Sequence, residues 1–155
     1  MKTFEELKED LLERAKKHHA CQDGYSMGLN AKSKQDLLKA ITNNWYWVLS
    51  TSKMIDANYL EENFTEEELT EAGIYTRKEH TSNAKSFACG SATVKAYGSA
   101  TVKACGSATV KAYDNSYVED CTGNINTVSD HGIVKDYYNH KIYIKKGKFE
   151  IIEIE

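Results

Sequence analysis

Residues 90–121 read GSATVKAY, GSATVKAC, GSATVKAY and DNSYVEDC, which is one octapeptide repeated three times almost unchanged and a fourth time in divergent form. The first position of each octad is Gly90, Gly98, Gly106 and then Asp114. Gly and Asp tolerate a positive φ, so we expect a corner of the chain at this position. In the three clean copies, positions three, five and seven are Ala, Val and Ala, and positions two, four and six are Ser, Thr and Lys. This alternation predicts short strands with a small apolar inner face and a polar outer face.

Repeats of fixed length are typical of solenoids, in which each unit buries its apolar face by stacking on its neighbours. Because the inward side chains are only Ala and Val, the interior must be thin, which favours two facing strands per coil. The eighth position alternates between two residue types with a period of sixteen: Cys89, Tyr97, Cys105, Tyr113 and Cys121. We therefore expect a two-sided β-solenoid with about 16 residues per coil, tyrosines on one side and cysteines on the other. An antiparallel meander is the alternative, since Gly-Ser and Asp-Asn pairs also form hairpin turns.

The remainder of the chain indicates an α+β protein of three parts. Residues 1–76 are expected to form a helical head domain, residues 77–135 the solenoid, and residues 136–155 a C-terminal β-hairpin cap with its turn at Lys146-Gly147. Apolar stripes and capping patterns predict a helix over residues 4–19 and further helices beginning near Ser33, Asp56 and Thr65. Residues 21–32 have turn composition.

Composition and charge exclude several classes of function. The chain has 155 residues and a formal net charge of −3, which gives no electrostatic reason to expect nucleic-acid binding. No apolar run approaches a membrane span, and the charged first 17 residues do not resemble a signal peptide. We therefore expect a cytoplasmic protein, away from membranes, whose four cysteines are reduced thiols.

The octads from Gly90 to Val118 resemble octapeptide arrays in uncharacterised phage and prophage proteins of gut bacteria. The ending GIVKDYYNHKIYIKKGKFEIIEI is similar to the tail that commonly follows such arrays, and residues 4–76 are similar to a recurring helical partner region. The resemblance implies a phage- or mobile-element-associated accessory protein. It implies no known activity and no catalytic residue.

Several chemical readings of the cysteines and histidines have weak support in the sequence. His18, His19 and Cys21 lie together, but no further metal ligand lies near them at suitable spacing, so we expect no metal. The stacked cysteines lie within disulfide range, although a column of reduced thiols is the simpler reading. His131 is the only nearby base for a cysteine nucleophile.

The polar face of the octads permits two further readings. Thr93, Thr101 and Thr109 would form an outward row, as on ice-binding solenoids, but lysines interrupt it. Three thin coils also offer no obvious groove for a glycan-active enzyme, and GSATVK lacks the spacing of a phosphate-binding loop.

Tyrosines dominate the second half of the chain and give the leading functional hypothesis. Aromatic residues on a rigid sheet are typical of protein interfaces, although cross-strand packing also explains them. We predict a non-enzymatic protein-interaction or scaffold module, without cofactor, that binds a protein partner such as a host defence protein. The predicted binding residues are Tyr97, Tyr113, Tyr117, Tyr137, Tyr138, Lys95 and Lys111. The alternative is a small hydrolase or lyase with a site between helical head and solenoid.

Self-association is a second expectation for partners. The open end of a solenoid carries unpaired backbone groups, and Ile151 and Ile152 point to opposite faces of any strand. We therefore predict a homodimer formed through the C-terminal segment, the solenoid edge or both.

Overall fold

The computed structural model describes residues 1–124 and 127–155, and it begins with a helical head. The helices are α1 (Phe4–Lys17), α2 (Gln22–Leu29), α3 (Lys34–Asn43), α4 (Ala57–Asn63) and α5 (Glu66–Glu71), with a π-helical turn over Trp47–Thr51 between α3 and α4. Side-chain caps fix the helix starts as the sequence predicted. Thr3 and Thr65 each form a reciprocal capping box, and Asp56 Oδ1 accepts the Tyr59 backbone N–H at 2.9 Å.

One helix was not predicted. Residues 21–32 have turn composition, with two glycines, yet most of them form α2. The Cys21 thiol caps this helix by accepting the Gly24 N–H at 3.4 Å, a role for which cysteine is an unusual residue. No residue of α2 is buried, so the helix lies on the head without an anchoring side chain of its own.

The solenoid is two-sided, as predicted. Its strands are β1 (Ile74–Tyr75), β2 (Glu79–Ser82), β3 (Lys85–Ala88), β4 (Thr93–Ala96), β5 (Thr101–Ala104), β6 (Thr109–Ala112), β7 (Tyr117–Asp120), β8 (Thr127–Val128), β9 (Ile133–Asp136) and β10 (Lys141–Ile144). Odd-numbered strands and β10 form a six-stranded sheet, and β2, β4, β6 and β8 form a four-stranded sheet. Ile125 and Asn126, within the predicted solenoid, lie outside the described residues.

The register confirms a coil of sixteen residues. Thr101 pairs with Tyr117 and Tyr117 with Ile133 in parallel strands, and Thr93 pairs with Thr109 in the other sheet. Lys103 and Glu119, which carry opposite charges, are register partners in the same pair of strands. The corners are formed by left-handed residues: φ is +60° at Gly98, +64° at Gly106 and +53° at Asp114.

The solenoid interior is built from small side chains, again as predicted. Val94 and Val110 project from the four-stranded sheet, and Val102, Val118 and Val134 project from the six-stranded sheet; all five are fully buried. The alanines at positions three and seven of the clean octads are also buried. In later coils Asp120 and Asp136 take the place of alanine at position seven. Asp136 is satisfied by the turn that follows it, because its Oδ1 accepts the backbone N–H groups of Tyr138 and Asn139.

The C-terminal hairpin differs from the predicted one. β10 pairs antiparallel with β9, and Lys141 lies opposite Asp136, so the hairpin turn falls at residues 137–140. A turn is also present at Lys146-Gly147, where the Lys148 N–H bonds to the Lys145 carbonyl, but no strand follows it. The predicted pairing across that turn is therefore wrong, because β10 hydrogen-bonds to the last coil instead.

The head packs along one side of the solenoid and reaches well beyond its first coil. Its contacts extend from Phe87 on β3, whose ring lies 5.3 Å from that of Trp45, to Tyr137, whose ring lies 5.7 Å from that of Tyr46. The side that it covers is the corner where the cysteines stack: Cys89, Cys105 and Cys121 all pack in the apolar core of the head.

Candidate interaction surfaces

The four-stranded sheet carries four of the predicted binding residues on its side of the solenoid. Lys95 and Lys111 are register partners on adjacent strands. Tyr97 and Tyr113 follow the same strands at the corner opposite the cysteines, and their rings stack with centroids 4.7 Å apart and planes within 8°. We call this set, Lys95, Tyr97, Lys111 and Tyr113, the ladder face. Its members are partly exposed, and stacking in register holds the two rings rigid.

An ion pair orients one of the two lysines of the ladder face. Lys95 Nζ lies 2.7 Å from Glu79 Oε1, and Glu79 lies on β2, the neighbouring strand. The hydrogen bond to Glu79 raises the pKa of Lys95, and the same bond lowers the pKa of Glu79. Both groups therefore stay charged across the physiological range, and the ion pair persists.

The other three predicted binding residues lie elsewhere. Tyr117 projects from the six-stranded sheet, where its register partners are Thr101 and Ile133, and burial raises the pKa of its hydroxyl. Tyr137 lies against Tyr46 of the head. Tyr138 is 70% exposed in the hairpin turn. The structure thus brings four predicted residues together and separates the remaining three from them.

The predicted threonine row does not form. Thr93 and Thr109 are register partners in the four-stranded sheet, whereas Thr101 lies in the opposite sheet between Lys85 and Tyr117. Successive octads alternate between the two sheets, so identical residues eight positions apart face opposite ways.

The junction between head and solenoid was the expected location of an active site in the alternative reading. Trp45 is 2% exposed and Phe87 is 5% exposed, and their rings pack against each other at this junction. An open hollow of about 460 Å³ lies beside them, lined by Lys39 and Glu71 of the head and by Lys85 of β3. The Tyr46 hydroxyl donates to the Glu119 carbonyl oxygen at 2.7 Å, which ties the head to the third coil. Nothing in the sequence distinguished Tyr46 from the neighbouring tryptophans, because its role depends on a residue 73 positions away.

The stacked thiols at this junction are poor nucleophiles. Burial raises the pKa of Cys89 to about 12, of Cys105 to about 12 and of Cys121 to about 11. Since the thiolate is the reactive form, these cysteines are protonated at neutral pH. His131 follows the corner at Asp130, and its backbone N–H bonds to the Asp114 carbonyl. This is the tyrosine side of the solenoid, so the histidine lies across the solenoid from the cysteines. Over residues 1–124 and 127–155, no group of three or more His, Cys, Asp or Glu side chains is placed to hold a metal ion.

Most of the large apolar side chains that are exposed in the described residues lie near the C-terminal end. β10 is the last strand of the six-stranded sheet, and its outer edge pairs with no strand in the described part of the chain. Ile142 is 57% exposed and Ile152 is 75% exposed. We call β10 and residues 149–155 the C-terminal edge. Ile144 and Phe149 of this edge are partly buried, and the Phe149 ring lies 5.5 Å from that of His131.

The head contains an apolar cavity that the sequence did not reveal. Its volume is about 220 Å³, and it lies between α1, α2, α3 and the π-helical turn. Its walls include Leu11, Leu37, Ile41, Trp47 and Met54. None of the described residues that line it carries a charge.

Comparison with protein-family models, with curated proteins and with solved structures finds no match to this chain. In the described ranges, every helix is too short or too polar to cross a membrane. Any function proposed for the candidate surfaces therefore depends on their geometry and chemistry alone.

Proposed function

We propose that this protein is a non-enzymatic interaction module that binds a protein partner through its ladder face. The observation that carries the proposal is the difference between the two sides of the solenoid. The head packs over the cysteine side, whereas the opposite side presents Tyr97 and Tyr113 stacked beside Lys95 and Lys111.

Rigid aromatic side chains are efficient contact residues. Tyrosine is enriched at protein interfaces and at their energetic hot spots. A side chain that is already ordered loses little conformational entropy on binding, and the stacked pair is ordered by its own contact.

The test is affinity capture with matched variants. The intact chain and the double variant Tyr97→Ser/Tyr113→Ser are immobilised and exposed to the same lysate, with Tyr143→Ser as a control at the other end of the solenoid. We expect a partner that is enriched at least tenfold on the wild-type chain and on the control relative to the double variant. Equal recovery on all three chains, or no specific recovery on any, would contradict the proposal.

A narrower proposal identifies the partner as a host protein, for example a component of a defence system. It depends only on the resemblance of the octads and of the C-terminal tail to phage-type arrays. Repeating the capture with lysates of bacteria that carry or lack a given defence system tests it. Recovery that is independent of the defence system would contradict it.

We also propose that the chain forms a homodimer through the C-terminal edge. Exposed apolar residues beside an unpaired strand edge favour pairing with another strand. The segment is also complementary to itself in charge: Lys145, Lys146 and Lys148 precede Glu150, Glu153 and Glu155. Antiparallel pairing about a two-fold axis places the basic half of one copy opposite the acidic half of the other.

Sedimentation equilibrium at micromolar concentration tests the dimer. We expect a mass of twice 17.5 kDa for the wild-type chain and 17.5 kDa for Ile152→Asp. The ladder-face variant Tyr97→Ser/Tyr113→Ser serves as the control and is expected to remain dimeric. A wild-type mass of 17.5 kDa at every concentration would contradict the dimer and would leave the ladder-face proposal intact.

A further inference from the structure

The cavity of the helical head is the strongest unassigned feature of the molecule. Elsewhere the head is tightly packed, since Leu7, Leu38 and Leu60 are fully buried and Phe64 is 1% exposed. The cavity is partly open to solvent, and its volume of about 220 Å³ is several times that of a water molecule.

Two glycines of α2 keep this cavity open. Gly24 and Gly28 are one helical turn apart and both line it. A Cβ atom at Gly28 would lie 3.2 Å from Leu12 Cδ2, and a Cβ atom at Gly24 would lie 3.2 Å from Asn44 Oδ1; both distances are shorter than an ordinary van der Waals contact. Glycine inside a helix is unfavourable relative to alanine, and α2 contains two glycines in eight residues. The two glycines thus let α2 approach Leu12 and Asn44 closely, and a larger side chain at either position would displace the cavity wall.

Helix α2 forms one wall of the cavity and packs on α1 and α3, although it has no fully buried residue. Because the cavity is partly open to solvent, a ligand can enter it without disruption of the core around Leu38 and Leu60.

One polar atom on the wall indicates the chemistry of a ligand. The Asn44 side-chain nitrogen donates to the Ala40 carbonyl at 2.8 Å, which fixes the orientation of the amide. Its Oδ1 then faces Gly24, 3.2 Å from where a Cβ of that residue would be. Across residues 1–124 and 127–155, no hydrogen bond reaches this oxygen. It is an acceptor at the edge of an otherwise apolar space.

We propose that the head binds a small, uncharged, mostly apolar molecule with one hydrogen-bond donor, which Asn44 Oδ1 accepts. The absence of charged residues among the described lining excludes a ligand that carries a carboxylate or an ammonium group. An apolar cavity of roughly 150 Å³ holds benzene, so a cavity of about 220 Å³ has room for about nine or ten non-hydrogen atoms. A fused bicyclic aromatic with one N–H or O–H group has this size and chemistry.

Two probes of nearly equal shape test the proposal. Indole has an N–H donor, and benzothiophene has a sulfur atom in its place. The full chain labelled with ¹⁵N is titrated with each probe and followed by amide chemical shifts. We expect shifts centred on Gly24, Gly28 and Asn44 for both probes, with indole bound several-fold more tightly.

Variants separate specific binding from adventitious contact. Gly28→Leu should fill the cavity and abolish both titrations, whereas Thr109→Ala on the distant four-stranded sheet should change neither. Asn44→Leu should weaken indole binding about tenfold and leave benzothiophene within about twofold, because only indole loses a hydrogen bond. Should Gly28→Leu fail to fold, Ala40→Leu fills the same space from α3.

Three outcomes would overturn the proposal. They are no shifts at saturating indole, shifts that persist when the cavity is filled, and an equal response of both probes to Asn44→Leu. None of these outcomes depends on the ladder face, so they leave the proposed protein interaction untouched.

Discussion

The head and the solenoid bury their apolar side chains in different ways. The head uses large residues at positions that occur once, such as Trp45, Phe64 and Leu60. The solenoid uses alanine and valine at positions that recur every eight residues, and each is as deeply buried as any leucine of the head. A small side chain buries little area, so a coil depends on the coils above and below it for stability. The head completes its core with residues of the solenoid, among them Phe87, Cys89 and Cys105, and the solenoid is completed by stacking and by the head beside it.

The substitution with the largest expected effect tests whether the interior of the solenoid is thin and apolar. Val102→Asp places a carboxylate between two sheets that are two side chains apart, where no partner is available, and a buried unpaired charge costs several kcal/mol. We expect the solenoid to lose its cooperative thermal transition by circular dichroism. Thr109→Asp, on an outward-facing position of β6 in the facing sheet, is the control and should cost less than about 1 kcal/mol. A Val102→Asp chain with the wild-type melting curve would mean that the inner and outer faces are reversed.

Substitutions at two corner glycines test how strongly contact with the head constrains the backbone of the solenoid. Gly90 and Gly98 have nearly the same backbone, with φ of +59° and +60°. A Cβ at Gly98 would meet nothing within 4 Å, but a Cβ at Gly90 would lie 2.4 Å from the Thr76 carbonyl oxygen and 2.8 Å from Ala57 Cβ of the head. Gly98→Ala should therefore cost only the roughly 1–2 kcal/mol of a left-handed alanine. Gly90→Ala should cost clearly more, because the backbone near Thr76 must also move.

Urea unfolding measures the loss of unfolding free energy in both variants under one set of conditions. Equal losses of unfolding free energy would show that contact with the head adds no constraint at the Gly90 corner. Asp114 provides an internal reference, since it is a non-glycine residue at an equivalent corner with φ of +53°. Its carboxylate accepts the Gly98 backbone N–H at 2.8 Å, which offsets part of its strain.

The buried thiols at the junction should make the stability of the chain depend on pH above neutrality. Burial raises the pKa of Cys89 and Cys105 to about 12, above the ordinary value near 9 that applies in the unfolded chain. A raised pKa in the folded state means that the stabilisation is complete below pH 9 and is lost as the pH rises from 9 to 12. In that window the unfolded chain releases protons that the folded chain retains, so the unfolding free energy should fall by roughly 1 kcal/mol per thiol per pH unit.

Comparison of the wild-type chain with Cys89→Ala/Cys105→Ala separates the pH dependence that the two thiols cause from that of other titratable groups. The double variant should lose less unfolding free energy between pH 9 and pH 11 than the wild-type chain does. Parallel slopes would contradict burial of the thiols in their protonated form.

The same contrast between the two regions explains how much the sequence could predict. The eight-residue period predicted the coil length, the corner at Asp114 and the inward valines, because each of these features depends only on residues eight or sixteen positions apart in the sequence. The sequence of the head has capping patterns but no repeat, so α2 was not predicted. Glycines such as Gly24 and Gly28 are typical of a turn, and only packing against α1 and α3 makes that segment helical. The cavity and the contact of Tyr46 with Glu119 depend on residues distant in sequence. No local pattern could have shown them.

The smallest expected effect concerns the ion pair on the ladder face. Glu79 and Lys95 are separated by 2.7 Å, but the Glu79 side chain is 55% exposed, so solvent screens the pair. Exposed ion pairs contribute little to stability, so Glu79→Gln should lower the unfolding free energy only slightly at low salt and by nothing measurable at 0.5 M salt. The informative result is on binding rather than on stability. Without Glu79, Lys95 carries an uncompensated charge beside Tyr97, so a partner with an acidic surface should associate faster with Glu79→Gln, and the difference should vanish as salt is added. A partner whose association rate is unchanged by this substitution, yet sensitive to Tyr97→Ser/Tyr113→Ser, would show that the ladder face acts through its aromatic rings and not through its charge.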